Sequence, residues 1–154
     1  MKMRLLPFTL TFTILLFGLS VQNSSAQNIR LKNSSSFIEK VANSTYRKTA
    51  NGYLYKFDSN GTISYTDNNN THFVAIARKS GSNIQFNDFG ENGYNGEYQG
   101  YFDANSNRFM DSKDNVVATI TNSNEVIDGA GNVLFKIDSS MPKEVVGFFV
   151  FYRY

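Results

Sequence analysis

One run of oxygen-bearing side chains has the spacing of a metal loop: DANSNRFMDSKD, residues 103–114. Asp103, Asn105, Asn107, Asp111 and Asp114 fall at positions 1, 3, 5, 9 and 12 of a twelve-residue loop, with apolar Met110 at position 8. Ca²⁺ takes about six to eight oxygen ligands, and EF-hand loops supply them at this spacing, ending in Asp in the dockerin version. Position 6 opposes the metal reading, because the loop's sharp turn needs Gly there and this chain has Arg108. No amphipathic helix is predicted on either side, and Asp111 also belongs to a recurring turn described below. The expectation is therefore no bound metal and no cofactor, with a Ca²⁺-dependent module as the alternative.

Other reaction chemistry has little material. His72, after DNNNT, is the sole histidine, and the chain has no cysteine. Cys/His metal sites are thereby excluded, and a His-dependent nucleophilic triad would rest on one exposed loop residue. The glutamates are Glu39, Glu91, Glu97, Glu125 and Glu144. A glycosidase-type pair would have to come from Glu91, Glu97 and nearby aspartates, at no diagnostic spacing. No Gly-rich phosphate loop opens a helix. The chain reads as a non-enzyme. In GYNGEYQGYF, residues 93–102, Tyr94, Tyr98 and Tyr101 alternate with glycines. Such tyrosines stack on a glycan or fill a protein partner's pocket, or else lid a small core with their hydroxyls in water. The core reading is preferred.

These residues must be positioned by strands and turns. From Asn51 onward, aromatic and β-branched runs of four to six are broken by Gly, Asn, Asp and Ser. Three turn phrases share one form: Asp58 to Ile63, Asp111 to Val116 and Asp128 to Val133. Each reads Asp, two free positions, Gly or Asp, a polar residue and a β-branched one, after an apolar Phe57, Met110 or Ile127. Asp hydrogen-bonds its own backbone two residues on, and Gly or Asn supplies the positive φ of a tight hairpin. The step from Asp111 to Asp128 is 17 residues, which suits two short strands and two turns. Such a hairpin cannot bury its own apolar face, so copies must share a core. Ile63, Val116, Ile120, Val133 and Ile137 are expected in that core.

The N-terminus has another pattern. MKMR is cationic, residues 5–21 are almost wholly apolar, and QNSSA ends in small residues before Gln27. This is the form of a secretory signal peptide over 1–26. Export to a periplasm, cell surface or medium is expected, with no integral membrane segment in the remainder. Without Lys2 and Arg4 the 15 basic and 13 acidic residues become 13 of each, with no basic block for nucleic acid. Residues 27–50 read as a polar leader, with SFIE (36–39) fitting the capping box of one short helix. The β-hairpin repeat domain is expected over 51–154.

The Asp-x-x-Gly-x-Val phrases, the length, the export signal and PKEVVGFFVFY (142–152) together resemble the five-fold β-flower proteins, small exported proteins of Bacteroides-type bacteria. The resemblance covers about 51–152 and implies an all-β fold. In it, consecutive short β-hairpins are arranged radially like petals and closed by a hydrophobic C-terminal strand. It implies no catalytic residues. At the 17-residue step, 51–140 has room for five units. The expected protein is a monomeric binding or structural module of a bacterial surface or periplasm, its partner unspecified. The alternative is a small outer-membrane barrel. GFFVFYRY ends in an aromatic residue with Tyr154, Tyr152, Val150 and Phe148 in alternation. The other apolar runs fall short of the ~10 residues a spanning strand needs.

Overall fold

Tight turns dictate the architecture. The computed structural model describes residues 27–31, 37–90 and 95–152. The expected signal at 1–26, together with Glu91 and Tyr94, lies outside the described residues. The elements in order are β1 (Asn28–Leu31), β2 (Phe37–Ala42), β3 (Thr45–Lys48), β4 (Leu54–Phe57), β5 (Thr62–Asp67) and β6 (Asn70–Ser80). There follow β7 (Asn83–Phe89), β8 (Asn95–Asp103), β9 (Arg108–Asp111), β10 (Val116–Ile120), β11 (Glu125–Asp128), β12 (Val133–Ile137) and α1 (Lys143–Tyr152). Each strand pairs antiparallel with its chain neighbours, and β1 pairs with β12, closing a twelve-strand barrel. The all-β, radially arranged hairpin fold is as expected.

The turns work by the expected chemistry. Asp111 Oδ1 accepts from the N–H groups of Lys113 and Asn115, both at 2.8 Å. Asp128 Oδ1 does the same with Ala130 at 2.9 Å and Asn132 at 2.8 Å. Asn115 and Asn132 each donate from their side-chain amides to the other carboxylate oxygen. Asn68 and Asn69 both hold positive φ, the two-residue turn whose twist matches its strands. Thr121–Glu125 repeats the Asp-type turn with threonine as acceptor, since Glu125 N–H donates to Thr121 Oγ1 at 3.1 Å.

The turns alternate between the two ends of the barrel, and phase depends on the end. Where the helix begins, the pairs flanking the turn face inward, as in Phe57 with Ile63 and Ile120 with Val126. At the other end a bulge follows the first pair, leaving Val117 and Leu134 as the extra residues. Ile63, Ile120 and Ile137 therefore enter one core as expected, but Val116 is 37% exposed and Val133 only half-buried. The structural mate of the Asp58 turn is the Thr121 turn.

A ring of twelve strands encloses more room than side chains alone fill in an eight-strand barrel. Helix α1 fills it. Val145, Val146, Phe148, Phe149 and Val150 are all buried, as befits a helix that is apolar all round. This corrects the expected closing strand. VVGFFVFY favours strand by composition, but the closed ring has no free edge to pair with it. Inside the barrel, a segment satisfies its backbone N–H and C=O groups only by bonding to itself. Gly147 lets the wall come close: a Cβ there would lie 2.2 Å from Phe86 Cζ. Gly100 on β8 makes room for both neighbours, since a Cβ there would lie 2.9 Å from Phe151 Cε1 of the helix and 2.0 Å from the Met110 carbonyl oxygen of β9.

The polar leader is a second correction, because Asn28–Leu31, Phe37–Ala42 and Thr45–Lys48 form β1, β2 and β3. Ile29, Ile38 and Tyr46 each enter the core at 2% exposure or less. Of the expected capping box, Ser36 lies outside the described residues and Phe37, Ile38 and Glu39 are on strand β2, with Glu39 paired across to Arg47. Petal number changes accordingly: β12 with β1 completes a ring of six strand pairs, not five units. Two cross-strand ion pairs, Glu39–Arg47 and Glu125–Lys136, lie on the outside of the ring.

Candidate binding cleft

At the end where α1 begins, the ring and the helix leave a cleft of about 670 Å³. Its walls come from separate segments: the β2–β3 hairpin, the β4–β5 turn, the end of β6 and the first turn of α1. Backbone bonds lock the neighbouring turns together. Phe57 N–H donates to the Ser44 carbonyl at 2.8 Å, and Ala77 N–H to the Gly61 carbonyl at 2.8 Å. The equivalent links elsewhere on this end are Ile120 to Asn107 and Ile137 to Asn124, both 2.9 Å. The cleft wall is thus part of the repeat's own hydrogen bonding.

The floor is apolar. Tyr46, Ile63, Ala77 and Val145 are buried, and the half-buried Phe57 meets Tyr46 edge-on at 5.5 Å. The Tyr46 hydroxyl donates to Gln27 Oε1 at 3.2 Å, and Gln27 Nε2 donates to the Ser140 carbonyl at 2.9 Å. Burial, and then the Glu144 charge, hold the Tyr46 phenol above its ordinary pKa, so it stays a neutral donor. The rim is charged: Lys40, Arg78 and Lys79 are exposed, and Asp58 and Glu144 are half-buried. Asp58 is taken by Lys56 at 2.7 Å. Among the described residues, the ion pairs found leave Lys40, Arg78 and Lys79 unused. Glu144 sits in the first helical turn, where the helix dipole favours an anion. Apolar floor with a few convergent polar groups is the general form of a ligand pocket.

The residues singled out in the sequence lie elsewhere. Asp103 ends β8, across from Arg108 at the start of β9, whereas Asp111 ends β9, so the two sit in different turns at opposite ends of that strand pair. The five oxygens of 103–114 therefore do not converge on one point. Asp103 is occupied by Asn105 N–H at 3.0 Å and the Ser106 hydroxyl at 2.5 Å. Side-chain and backbone hydrogen bonds hold the Asp103 and Asp111 carboxyls below their usual pKa. Tyr98 and the half-buried Tyr101 lie on β8 beside Asp114, and burial followed by Asp114 raises both phenols. His72 is on strand β6 rather than in a loop, 3.0 Å from Asp67 and stacked on Tyr65 at 4.7 Å. Glu125 is paired to Lys136 and Glu97 is exposed.

Sequence reasoning missed the cleft. Lys40, Tyr46, Asp58 and Glu144 come from four distant phrases, and only the Arg78-Lys79 doublet carried a local signal. The chain matches no family model, no curated protein and no solved structure.

Proposed function

We propose that the chain is an exported, non-catalytic binding module that holds a small ligand in the cleft at the start of α1. The single observation that supports this reading is the cleft itself, about 670 Å³ of amphipathic space between walls fixed by backbone hydrogen bonds. The hairpin ring supports grouping it with the β-flower proteins, with six strand pairs instead of five petals. The test is a ligand panel of sugars, aromatic acids, acyl acids and short peptides, read by amide NMR. At least one class should shift Ser59, Asn60 and Gly61 saturably. Silence at those amides across the whole panel would remove the binding reading.

A closed barrel also invites the outer-membrane alternative, but its polarity argues against that. Membrane barrels carry an apolar band outside and polar residues within. This ring is packed with apolar residues inside and presents Glu39, Arg47, Lys56, Glu125 and Lys136 on its strands. Release by osmotic shock without detergent is expected.

A further inference from the structure

We infer that the occupant of the cleft is an amphipathic anion, an aromatic or acyl body bearing a carboxylate or sulfonate. This rests on the binding reading above and adds the chemical class. The side chains of Phe57, Ile63 and Val145 carry no hydrogen-bonding group, so a purely polar ligand such as a free sugar would find partners in Ser44, Ser59 and Asn60 but none against these floor side chains. Filling the floor with polar groups would leave them unsatisfied, which is costly. A purely apolar ligand has the converse defect. It would cover a rim where Lys40, Arg78 and Lys79 have no carboxylate partner among the described residues, so their charges would lose water for nothing. The two acids do not cancel this field. Asp58 is paired with Lys56 at 2.7 Å, and the positive end of its own helix offsets part of the Glu144 charge, so the three cations of the rim outweigh the two acids. An anionic head on an apolar body satisfies both surfaces at once. The Arg78 guanidinium suits such a head, because its fork bonds two oxygens together.

The test pairs 8-anilinonaphthalene-1-sulfonate with its uncharged parent, N-phenyl-1-naphthylamine. The sulfonate should bind saturably to the folded protein, shift the Ser59, Asn60 and Gly61 amides, and weaken as salt is raised. The neutral parent should bind more weakly. The double variant Arg78→Glu/Lys79→Glu should weaken the sulfonate by about tenfold or more. It should leave the parent within about twofold. Lys40→Glu, on a different strand, should act in the same direction and guards against a local effect of the double change. Equal affinity for the two probes, unchanged by these variants, would overturn the anion inference while keeping the cleft as a binding site. No amide shift from either probe would count against both.

Discussion

Gly147→Ala should destabilise the protein, although glycine-to-alanine in a helix interior ordinarily stabilises by about 1 kcal/mol. The sign reverses because of Phe86. A Cβ at position 147 would lie 2.2, 2.7 and 2.9 Å from three ring carbons of Phe86, well inside contact distance. That ring is fully buried and rests against Phe151 at 5.1 Å, so it has no free space to swing into. Overpacking a filled core costs about 1–3 kcal/mol, and a wedged aromatic belongs in the upper half of that range. Subtracting the helix-propensity gain leaves a net loss of about 1–2 kcal/mol. The assay is urea unfolding of the purified protein, followed by circular dichroism. Phe86→Leu should relieve the contact, so in that background Gly147→Ala becomes neutral or favourable. The pair should show a coupling of about 1 kcal/mol or more. If Gly147→Ala stabilises the parent protein by its ordinary helix gain, Phe86 does not lie over the helix and the packing argument fails.

Other expectations follow from the same geometry. Ile63→Ala, in the core, should cost about 2–5 kcal/mol, whereas Val116→Ala, on the outer face, should stay within about 0.5 kcal/mol; urea midpoints would separate them. Tyr46→Phe removes the donor to Gln27 and should cost about 0.5–1.5 kcal/mol, which equilibrium unfolding would report. The Asp111 carboxyl is held down mainly by the Asn115 side chain, against an ordinary value of 3.8. A depressed acid adds stability that is complete above the unfolded-state value and disappears as pH falls through the folded-state one. Asp111→Asn should therefore flatten the acid limb of the stability profile below about pH 4, and an unchanged limb would contradict the turn assignment.

The turn chemistry was legible because it is local. Asp111 and Asp128 carry out within five residues what their spacing suggests. Strands β10 and β12 were legible for the same reason, since Ala118 with Ile120 and Phe135 with Ile137 alternate inward over a single strand. Strands β2 and β3 were not, because Ile38 and Tyr46 are each the single buried residue of their strand, the other positions being half-buried or exposed. One inward residue per strand gives no period to read. The helix was hidden for a different reason. Val145, Val146, Phe148 and Phe149 favour strand individually, and only the closed ring around them leaves helix as the conformation that satisfies the backbone. Val116 and Val133 were misassigned because a bulge one pair further on shifts the phase, and nothing in either phrase marks it. The cleft needed Lys40, Arg78 and Glu144 from three regions brought to one end, which is a property of the barrel and of no segment alone.

The claim on which both the fold and the cleft depend is that residues 143–152 are a helix inside the ring. Its most direct test is proton–proton distance measurement by NMR on aromatic-labelled protein. The Phe148 ring lies 5.6 Å from Tyr55 and 5.7 Å from Phe57 on β4. One turn on, the Phe151 ring lies 5.1 Å from Phe86 on β7 and 6.1 Å from Phe109 on β9. Strands β4 and β9 stand five places apart in a ring of twelve, on nearly opposite walls. Helical Cα shifts over 145–152, with cross-peaks from Phe148 to β4 and from Phe151 to β7 and β9, are the predicted result. Extended-strand shifts there, or contacts to one wall only, would contradict it.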